Sequence, residues 1–152
     1  MQLLTLGLNH RTAPVDVRER VSFSREELRS GLMSLGEYDG LSGLVVLSTC
    51  NRTELYASVE DHERGGKALR QFLDDLAQGG DDLDEYLYTY VDEEAIRHLF
   101  RVASSLDSLV LGEGQILSQV KEAYALAREA GATSTVLNLL FHRAIATGKR
   151  VR

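Results

Sequence analysis

The sequence predicts an α+β domain: a ferredoxin-like split βαβ sandwich with extra helices, ending in the start of a long helix. Four short segments show the continuous or alternating apolar patterns of strands. Segments with helical periodicity lie between the first and second strands and between the third and fourth strands. The second and third strands are joined by a turn. The order strand, helices, strand, strand, helix, strand is that of the split βαβ motif. The last third of the chain is helical.

The first strand is predicted over residues 3–8, a short apolar run that ends in polar residues, which is typical of a buried strand. Residues 15–21 suit a short helix. Ser24 is followed by Glu27 three positions later. This spacing predicts a capping box that begins a second helix, which extends to about residue 35.

Two strands around a polar turn are predicted next. Residues 44–47 form an apolar run too short for a helix, and residues 55–59 alternate in the manner of a half-buried strand. Apolar residues at helical spacing then predict a helix over 63–78, which a Gly-Gly pair ends. Residues 86–90 are predicted as the fourth strand.

The helical third begins at Asp92, predicted as the N-cap of a helix to about residue 104. A glycine-containing loop over 106–114 and a helix over 115–130 follow. The last helix begins near residue 134 and meets no stop signal before the chain ends. We therefore expect the natural protein to continue beyond this chain.

Composition indicates one globular domain. The 152 residues are 43% hydrophobic and 26% charged, with no apolar run near the length of a membrane span and no basic, apolar start typical of a signal peptide. We expect a cytoplasmic protein with no membrane partner. The net charge of −6 argues against strong nonspecific binding to nucleic acid, because such binding depends on Lys and Arg neutralising phosphates. Any nucleic-acid contact must be local or shared with another domain.

Cys50, the single cysteine, can form no internal disulfide, and no Cys/His cluster has zinc-ligand spacing, so we expect no metal site. It is either a small buried apolar residue, the commoner case at the end of an apolar strand, or a reactive thiol. Arg52 lies two residues on, which on extended backbone places both on one face. A guanidinium near a thiol favours the nucleophilic thiolate. Thr49 and Asn51 add polar groups that suit either an anionic substrate or an ordinary turn.

For two further groups of residues, the sequence does not decide between a binding role and a structural role. His98 borders the apolar stripe of its predicted helix, where it could orient a substrate, exchange protons or be a core-edge histidine. Small and hydrogen-bonding residues concentrate between 104 and 119, which fits either a binding loop before a helix or a linker. Gln115 and Gln119 share one helical face. The Gly112-x-Gly114 pattern is not a phosphate-binding fingerprint.

Three segments taken together are similar to the glutamyl-tRNA reductase family. They are LGLNHRTAPVDVRERVSF from Leu6, LSTCNRTELY from Leu47, and SSLDSLVLGEGQILSQVKEAY from Ser104. They span most of the chain, and each contains polar clusters that generic strand or helix patterning would not produce. Residues 1–152 thus resemble the family's N-terminal catalytic domain, with the start of its long spinal helix from about 134.

The resemblance implies NADPH-dependent reduction of glutamyl-tRNA to glutamate-1-semialdehyde in tetrapyrrole (porphyrin and haem) biosynthesis, through a thioester on Cys50. It implies that Cys50 is the nucleophile and that His98 is functionally important. It further implies a substrate pocket of Thr49, Cys50, Asn51, Arg52, Ser108, Glu113, Gly114, Gln115 and Gln119. The chain has Gly114 where the family usually has proline, a change that loosens this loop.

The resemblance also implies that NADPH is held by a separate nicotinamide-binding domain, and that the protein is a homodimer formed by C-terminal helices. Neither domain is present in this chain, so we expect no cofactor-binding residues here and no hydride transfer by the fragment alone. Glutamyl-tRNA and the downstream aminotransferase are the implied partners. Two other classes remain as alternatives. One is a cysteine-dependent acyl-ester hydrolase or acyltransferase, and the other is a noncatalytic ferredoxin-like binding module, which predicts a buried, inert Cys50.

Overall fold

A computed structural model describes residues 2–79, 82–106 and 115–151. The four strands are β1 Gln2–Asn9, β2 Leu41–Ser48, β3 Arg52–Val59 and β4 Tyr88–Val91. The helices are α1 Val15–Arg20, α2 Arg25–Met33, α3 His62–Ala77, α4 Glu93–Ala103, α5 Gln115–Glu129 and α6 Thr135–Val151. Across these ranges, no helix combines the length and apolar character needed to span a membrane.

The sheet has the strand order β2-β3-β1-β4, and every neighbouring pair is antiparallel. β3 therefore lies between β2 and β1, and β1 lies between β3 and β4. This is the strand arrangement of the split βαβ motif, so the ferredoxin-like prediction is confirmed. In the register of the sheet, Gly7 on β1 lies opposite Glu54 on β3 and opposite Tyr88 on β4.

Helices cover both faces of the sheet, and all eight residues of the central strand β3 are buried, including its polar ones. Val59 on β3 meets α3 at Gly65, where an added Cβ would come within 2.4 Å of the valine side chain. Tyr56, three residues earlier and so on the opposite face, packs edge to face on Phe141 of α6 at 5.6 Å. The additional helices predicted from sequence form this second layer, since α4 and α5 both pack against α6.

Most local signals identified their elements correctly. Ser24 and Glu27 form the predicted capping box, each side chain accepting from the other residue's backbone N–H. The fourth strand was placed two residues too early, because residues 84–86 instead form a 3-10 turn in which the N–H of Tyr86 donates to the carbonyl of buried Leu83.

Asp92 occupies the N-cap position of α4, which confirms the predicted start of this helix. Its carboxylate accepts no hydrogen bond from the helix and instead accepts from the backbone N–H of Leu3 at 3.0 Å. Its own N–H donates to the Leu3 carbonyl, also at 3.0 Å. Asp92 thus extends the pairing of β4 with β1 by one residue, because a strand partner competes successfully for the carboxylate.

Gly148 lets α6 approach α4 closely. A Cβ at this position would lie 2.6 Å from the Ala103 carbonyl oxygen and 2.9 Å from Leu117 Cδ1. We expect Gly148→Ala to lower the free energy of unfolding by about 1–3 kcal/mol, because the crowded backbone must shift. Urea denaturation measures the change, and Gly36→Ala is the matched control, since nothing lies within 4 Å of a Cβ built there. Equal stability of the two variants would contradict the close approach.

Candidate functional site

Cys50 lies in the turn between β2 and β3, and it is exposed with a free thiol. The turn is closed by the N–H of Thr49, which donates to the Arg52 carbonyl at 2.8 Å. The hydroxyl of Thr49 accepts from the N–H groups of Asn51 and Arg52 at 3.1 and 3.2 Å. These bonds fix the turn backbone through Thr49, so the turn geometry does not depend on the side chain of Asn51.

Helix α1 supports this turn from one side. Arg18 donates through Nε to the Cys50 carbonyl at 3.3 Å and through Nη1 to the Ala13 carbonyl at 2.7 Å. Next to the turn, the Thr53 hydroxyl donates to the Val21 carbonyl at 2.7 Å. The backbone of Cys50 is therefore held between the sheet and α1, while its thiol is accessible to solvent.

Arg52 begins β3 and is only 2% exposed, and its Nη1 lies 3.1 Å from Glu54 Oε2. The sequence argument placed Cys50 and Arg52 on one face of extended backbone. That premise does not hold, because Cys50 lies in the turn and only Arg52 belongs to the strand. Arg52 is thus anchored to a buried carboxylate two residues further along β3.

Glu54 is fully buried at the centre of a polar cluster. Its Oε2 accepts from Arg52 and forms short contacts with the hydroxyl of Tyr88 and Nε2 of His98, while its Oε1 accepts from the Tyr56 hydroxyl at 2.6 Å. Burial alone would raise the pKa of Glu54. The hydrogen bond and charge of His98, the charge of Arg52 and the Tyr56 hydroxyl outweigh burial and lower this pKa from 4.5 to about 2. Glu54 is therefore a carboxylate at neutral pH.

His98 projects from α4 onto this carboxylate and is 7% exposed. Its ring lies 4.7 Å from that of Tyr90 and 5.7 Å from that of Tyr88, centroid to centroid. The prediction that His98 lies at the edge of an apolar stripe is confirmed, since Ala95, Leu99 and Val102 of the same helix are buried. The Nε2 atom of the His98 ring therefore faces the ionised carboxylate of Glu54.

Sequence reasoning missed Glu54, Tyr56 and Tyr88, three of the residues that form this cluster. A signal was present, because Arg52, Glu54 and Tyr56 alternate along a strand and so share one face. Two charged residues on a strand that is covered on both faces must be paired, which marks a polar cluster inside the domain.

The remaining predicted site residues fall into two groups. Gln119 is half-buried and lines a groove of about 200 Å³ that also includes Ser48, the last residue of β2 before the Cys50 turn. Gln115 is exposed at the start of α5. Ser108, Glu113 and Gly114 lie outside the described residues.

A larger cleft of about 480 Å³ lies between α2 and α3 and is lined by residues such as Tyr38, Phe72 and Asp75. None of the predicted site residues that the structure describes lines this cleft, so it lies apart from the candidate site. Within the described ranges, no group of three or more His, Cys, Asp or Glu side chains could hold a metal ion.

Comparison with known proteins identifies the family. Residues 6–152 match the family model described as Glutamyl-tRNAGlu reductase, N-terminal domain. The chain is 52% identical to the glutamyl-tRNA reductase of Moorella thermoacetica and 51% identical to that of Herpetosiphon aurantiacus. Both matches cover 100% of this chain, but only 35% and 36% of those proteins. The chain therefore spans about a third of the length of these relatives.

A solved structure agrees with this assignment. Glutamyl-tRNA reductase from Methanopyrus kandleri superposes with a TM-score of 0.76 at 40% identity, over 99% of this chain and 34% of that one. The likeness confirms the α+β fold of the described residues.

Proposed function

Because the chain belongs to the glutamyl-tRNA reductase family, as its N-terminal domain, we propose that it performs the acyl-transfer half of NADPH-dependent glutamyl-tRNA reduction. The product of the complete reaction is glutamate-1-semialdehyde, a precursor in tetrapyrrole synthesis. The observation that supports this proposal most directly is the exposed Cys50 on a rigid turn inside the matched region. An exposed thiol also argues against the noncatalytic module, for which a buried cysteine was expected.

In the proposed step, the Cys50 thiolate attacks the carbonyl carbon of the ester that joins glutamate to the terminal ribose of the tRNA. A C–S bond forms and the ester C–O bond breaks. The ribose oxygen leaves and takes up a proton, which releases the tRNA and leaves a glutamyl thioester on Cys50. The turn contributes by holding the Cys50 sulfur at a fixed position at the end of strands β2 and β3.

Arg52 is proposed to bind the side-chain carboxylate of the glutamyl group, because a guanidinium recognises a carboxylate through paired hydrogen bonds. It lies two residues from the nucleophile, and Glu54 fixes its position. Because Arg52 is almost fully buried, the protein must open locally around the guanidinium for the substrate carboxylate to reach it.

His98 is proposed to orient the ester or to assist the leaving oxygen through Nδ1. Thr49, Asn51, Gln115 and Gln119 complete the proposed pocket, with Ser108, Glu113 and Gly114 from the segment outside the described residues.

The described residues do not fit a nicotinamide cofactor. Every strand pair in the described sheet is antiparallel, so it lacks the parallel β-α-β unit whose glycine-rich turn holds a dinucleotide. We therefore assign only acyl transfer to this chain. Hydride delivery, dimer formation and contact with the downstream aminotransferase are proposed for the part of the longer relatives that this chain does not cover.

The direct test is to incubate the protein with glutamyl-tRNA and to measure its intact mass. We expect an increase corresponding to one glutamyl group, located on Cys50 by peptide mapping. Rapid loss of this adduct to free glutamate would favour the alternative of a thiol-dependent hydrolase. Absence of any adduct under conditions where the thiol is alkylated normally would contradict the proposal, and semialdehyde made by this chain alone would contradict the assignment of hydride transfer elsewhere.

Substrate selection should depend on the planar guanidinium of Arg52. We expect Arg52→Lys, which keeps the charge and loses the fork of donors, to reduce the preference for glutamyl over glutaminyl esters by about tenfold or more. The preference is measured as the ratio of adduct-formation rates with the two esters. Arg20→Lys is the matched control, because Arg20 is exposed on α1 and pairs with Asp82. An unchanged ratio in Arg52→Lys would show that Arg52 does not select the substrate.

A further inference from the structure

We propose that Glu54 is a positioning residue that fixes the ring of His98 and the guanidinium of Arg52 through a gap in β1 left by Gly7. The inference deepens the acyl-transfer function proposed above and rests on it for the identity of the substrate. It adds one residue and one backbone position to the site, and neither carries a role in the sequence argument.

The first support is the arrangement of donors around one buried carboxylate. Glu54 joins three parts of the fold, because Arg52 and Tyr56 come from β3, Tyr88 comes from β4 and His98 comes from α4. A buried ion pair with Arg52 would satisfy the charge alone. The additional convergence of a histidine and two phenols on the same carboxylate defines the position of each of them.

The second support is the way in which Glu54 reaches its partners. β1 lies between β3 and β4, so a side chain on β3 must pass over β1 to contact Tyr88 and His98. Gly7 lies directly opposite both Glu54 and Tyr88 in the sheet register. A Cβ at Gly7 would lie 2.8 Å from Glu54 Cγ and 2.8 Å from the Thr53 carbonyl oxygen. The missing side chain at Gly7 is the space that Glu54 occupies.

The third support is chemical. A carboxylate that accepts from one ring nitrogen of a histidine fixes both the tautomer and the orientation of the ring, which leaves the other nitrogen to act on a substrate. In this site Nε2 faces Glu54, so Nδ1 is the acting nitrogen. The rings of Tyr88 and Tyr90 contact the imidazole and restrict its rotation.

Glu54 also connects this histidine to the nucleophile turn. The Arg52 side chain bonds to Glu54, while the Arg52 carbonyl accepts from the N–H of Thr49 and so closes the turn that contains Cys50. A single carboxylate therefore anchors both the side chain proposed to bind the substrate carboxylate and the ring proposed to act at the ester. Loss of the Glu54 carboxylate should slow the chemical step more than it weakens substrate binding.

The first experiment follows the His98 ring by ¹⁵N-edited NMR and requires no substrate. We expect the parent protein to show a downfield Nε2–H proton, as hydrogen bonding to a carboxylate produces. The signal should move upfield or disappear in Glu54→Gln and in Gly7→Ala. It should be unchanged in Glu60→Gln, the same chemical change at an exposed position just beyond β3. An unchanged signal in Glu54→Gln would overturn the proposal.

The second experiment measures glutamyl adduct formation on Cys50 as a function of glutamyl-tRNA concentration. We expect Glu54→Gln to lower the maximal rate about 100-fold, within the range for loss of acid-base assistance, while the half-saturating concentration changes little. Glu54→Asp, which restores the charge on a shorter side chain, should recover part of the rate. An unchanged maximal rate with weaker binding would overturn the proposal, because Glu54 would then serve binding alone.

Folding is monitored by circular dichroism for every variant. If Glu54→Gln does not fold, Tyr88→Phe takes its place, because it removes one hydrogen bond to Glu54 and leaves the carboxylate buried. A downfield change of the His98 signal is then expected, because Glu54 Oε2 loses a donor that competes with His98, and absence of this change would overturn the proposal. Failure of the parent protein to form any adduct would contradict the acyl-transfer function, and the His98 signal would still decide the role of Glu54.

Discussion

Cys50→Ser should form no glutamyl adduct with glutamyl-tRNA, while its fold and stability remain those of the parent. Serine replaces sulfur by oxygen in the same shape, but its hydroxyl is a far weaker nucleophile than a thiolate at neutral pH. Because Cys50 is exposed and its backbone is held by Thr49 and Arg18, the free energy of unfolding should change by less than about 0.5 kcal/mol. Intact mass and urea denaturation measure the two properties.

A second variant tests whether adduct formation requires a thiol in the Cys50 turn or only an exposed thiol. Ser30 is exposed on α2, outside the Cys50 turn, so Ser30→Cys combined with Cys50→Ser supplies an accessible thiol outside the proposed site. We expect this double variant to react with a simple alkylating reagent but not with glutamyl-tRNA. Adduct formation at position 30 would contradict the proposal, because acyl transfer would then be a property of any exposed cysteine.

The order of elements was predictable because the split βαβ motif is determined by local patterns. Alternation, apolar runs and the capping box at Ser24 each depend on neighbours in sequence, and each identified its strand or helix. Local patterns did not predict hydrogen bonds to a distant strand. Asp92 bonds to Leu3 across 89 positions, and no local rule contains that partner.

Some residues of the candidate site could be predicted from the sequence, and others could not. The turn around Cys50 and the buried His98 follow from patterns, whereas the role of Arg52 depended on backbone conformation at Cys50, which a strand-end argument does not determine. Glu54 was missed because its partners lie on three elements and its path requires Gly7. A glycine inside a strand does indicate a close approach, but it does not say which side chain makes that approach.

The buried carboxylate also predicts how stability depends on pH. The pKa of Glu54 is about 2 in the folded protein and near its ordinary value of 4.5 when the chain is unfolded. A carboxyl group whose pKa is lowered by folding stabilises the folded state above the unfolded pKa, and this contribution is lost as pH falls toward the folded pKa. The difference corresponds to about 3 kcal/mol, which should disappear between about pH 5 and pH 2.

Urea denaturation of the parent and of Glu54→Gln, measured from pH 7 down to pH 2, tests this expectation. At neutral pH the parent should be the more stable protein, because glutamine removes the charge of Glu54 from its ion pair with the buried Arg52. As the pH falls, the two curves should converge, since protonation of Glu54 in the parent removes the charge that glutamine already lacks. Surface carboxyl groups with lowered pKa values, such as Asp82 and Glu129, are common to both proteins and cancel in the difference.

Glu60→Gln supplies the reference, because Glu60 is exposed and lies outside the cluster. Its curve should stay parallel to that of the parent throughout. Parallel curves for Glu54→Gln and the parent would mean that folding leaves the pKa of Glu54 unchanged, which would contradict the expectation. If the parent instead lost stability relative to Glu54→Gln as pH rose above 4.5, Glu54 would be protonated in the folded protein. Convergence confined to the acid range is therefore the result that an ionised Glu54 requires.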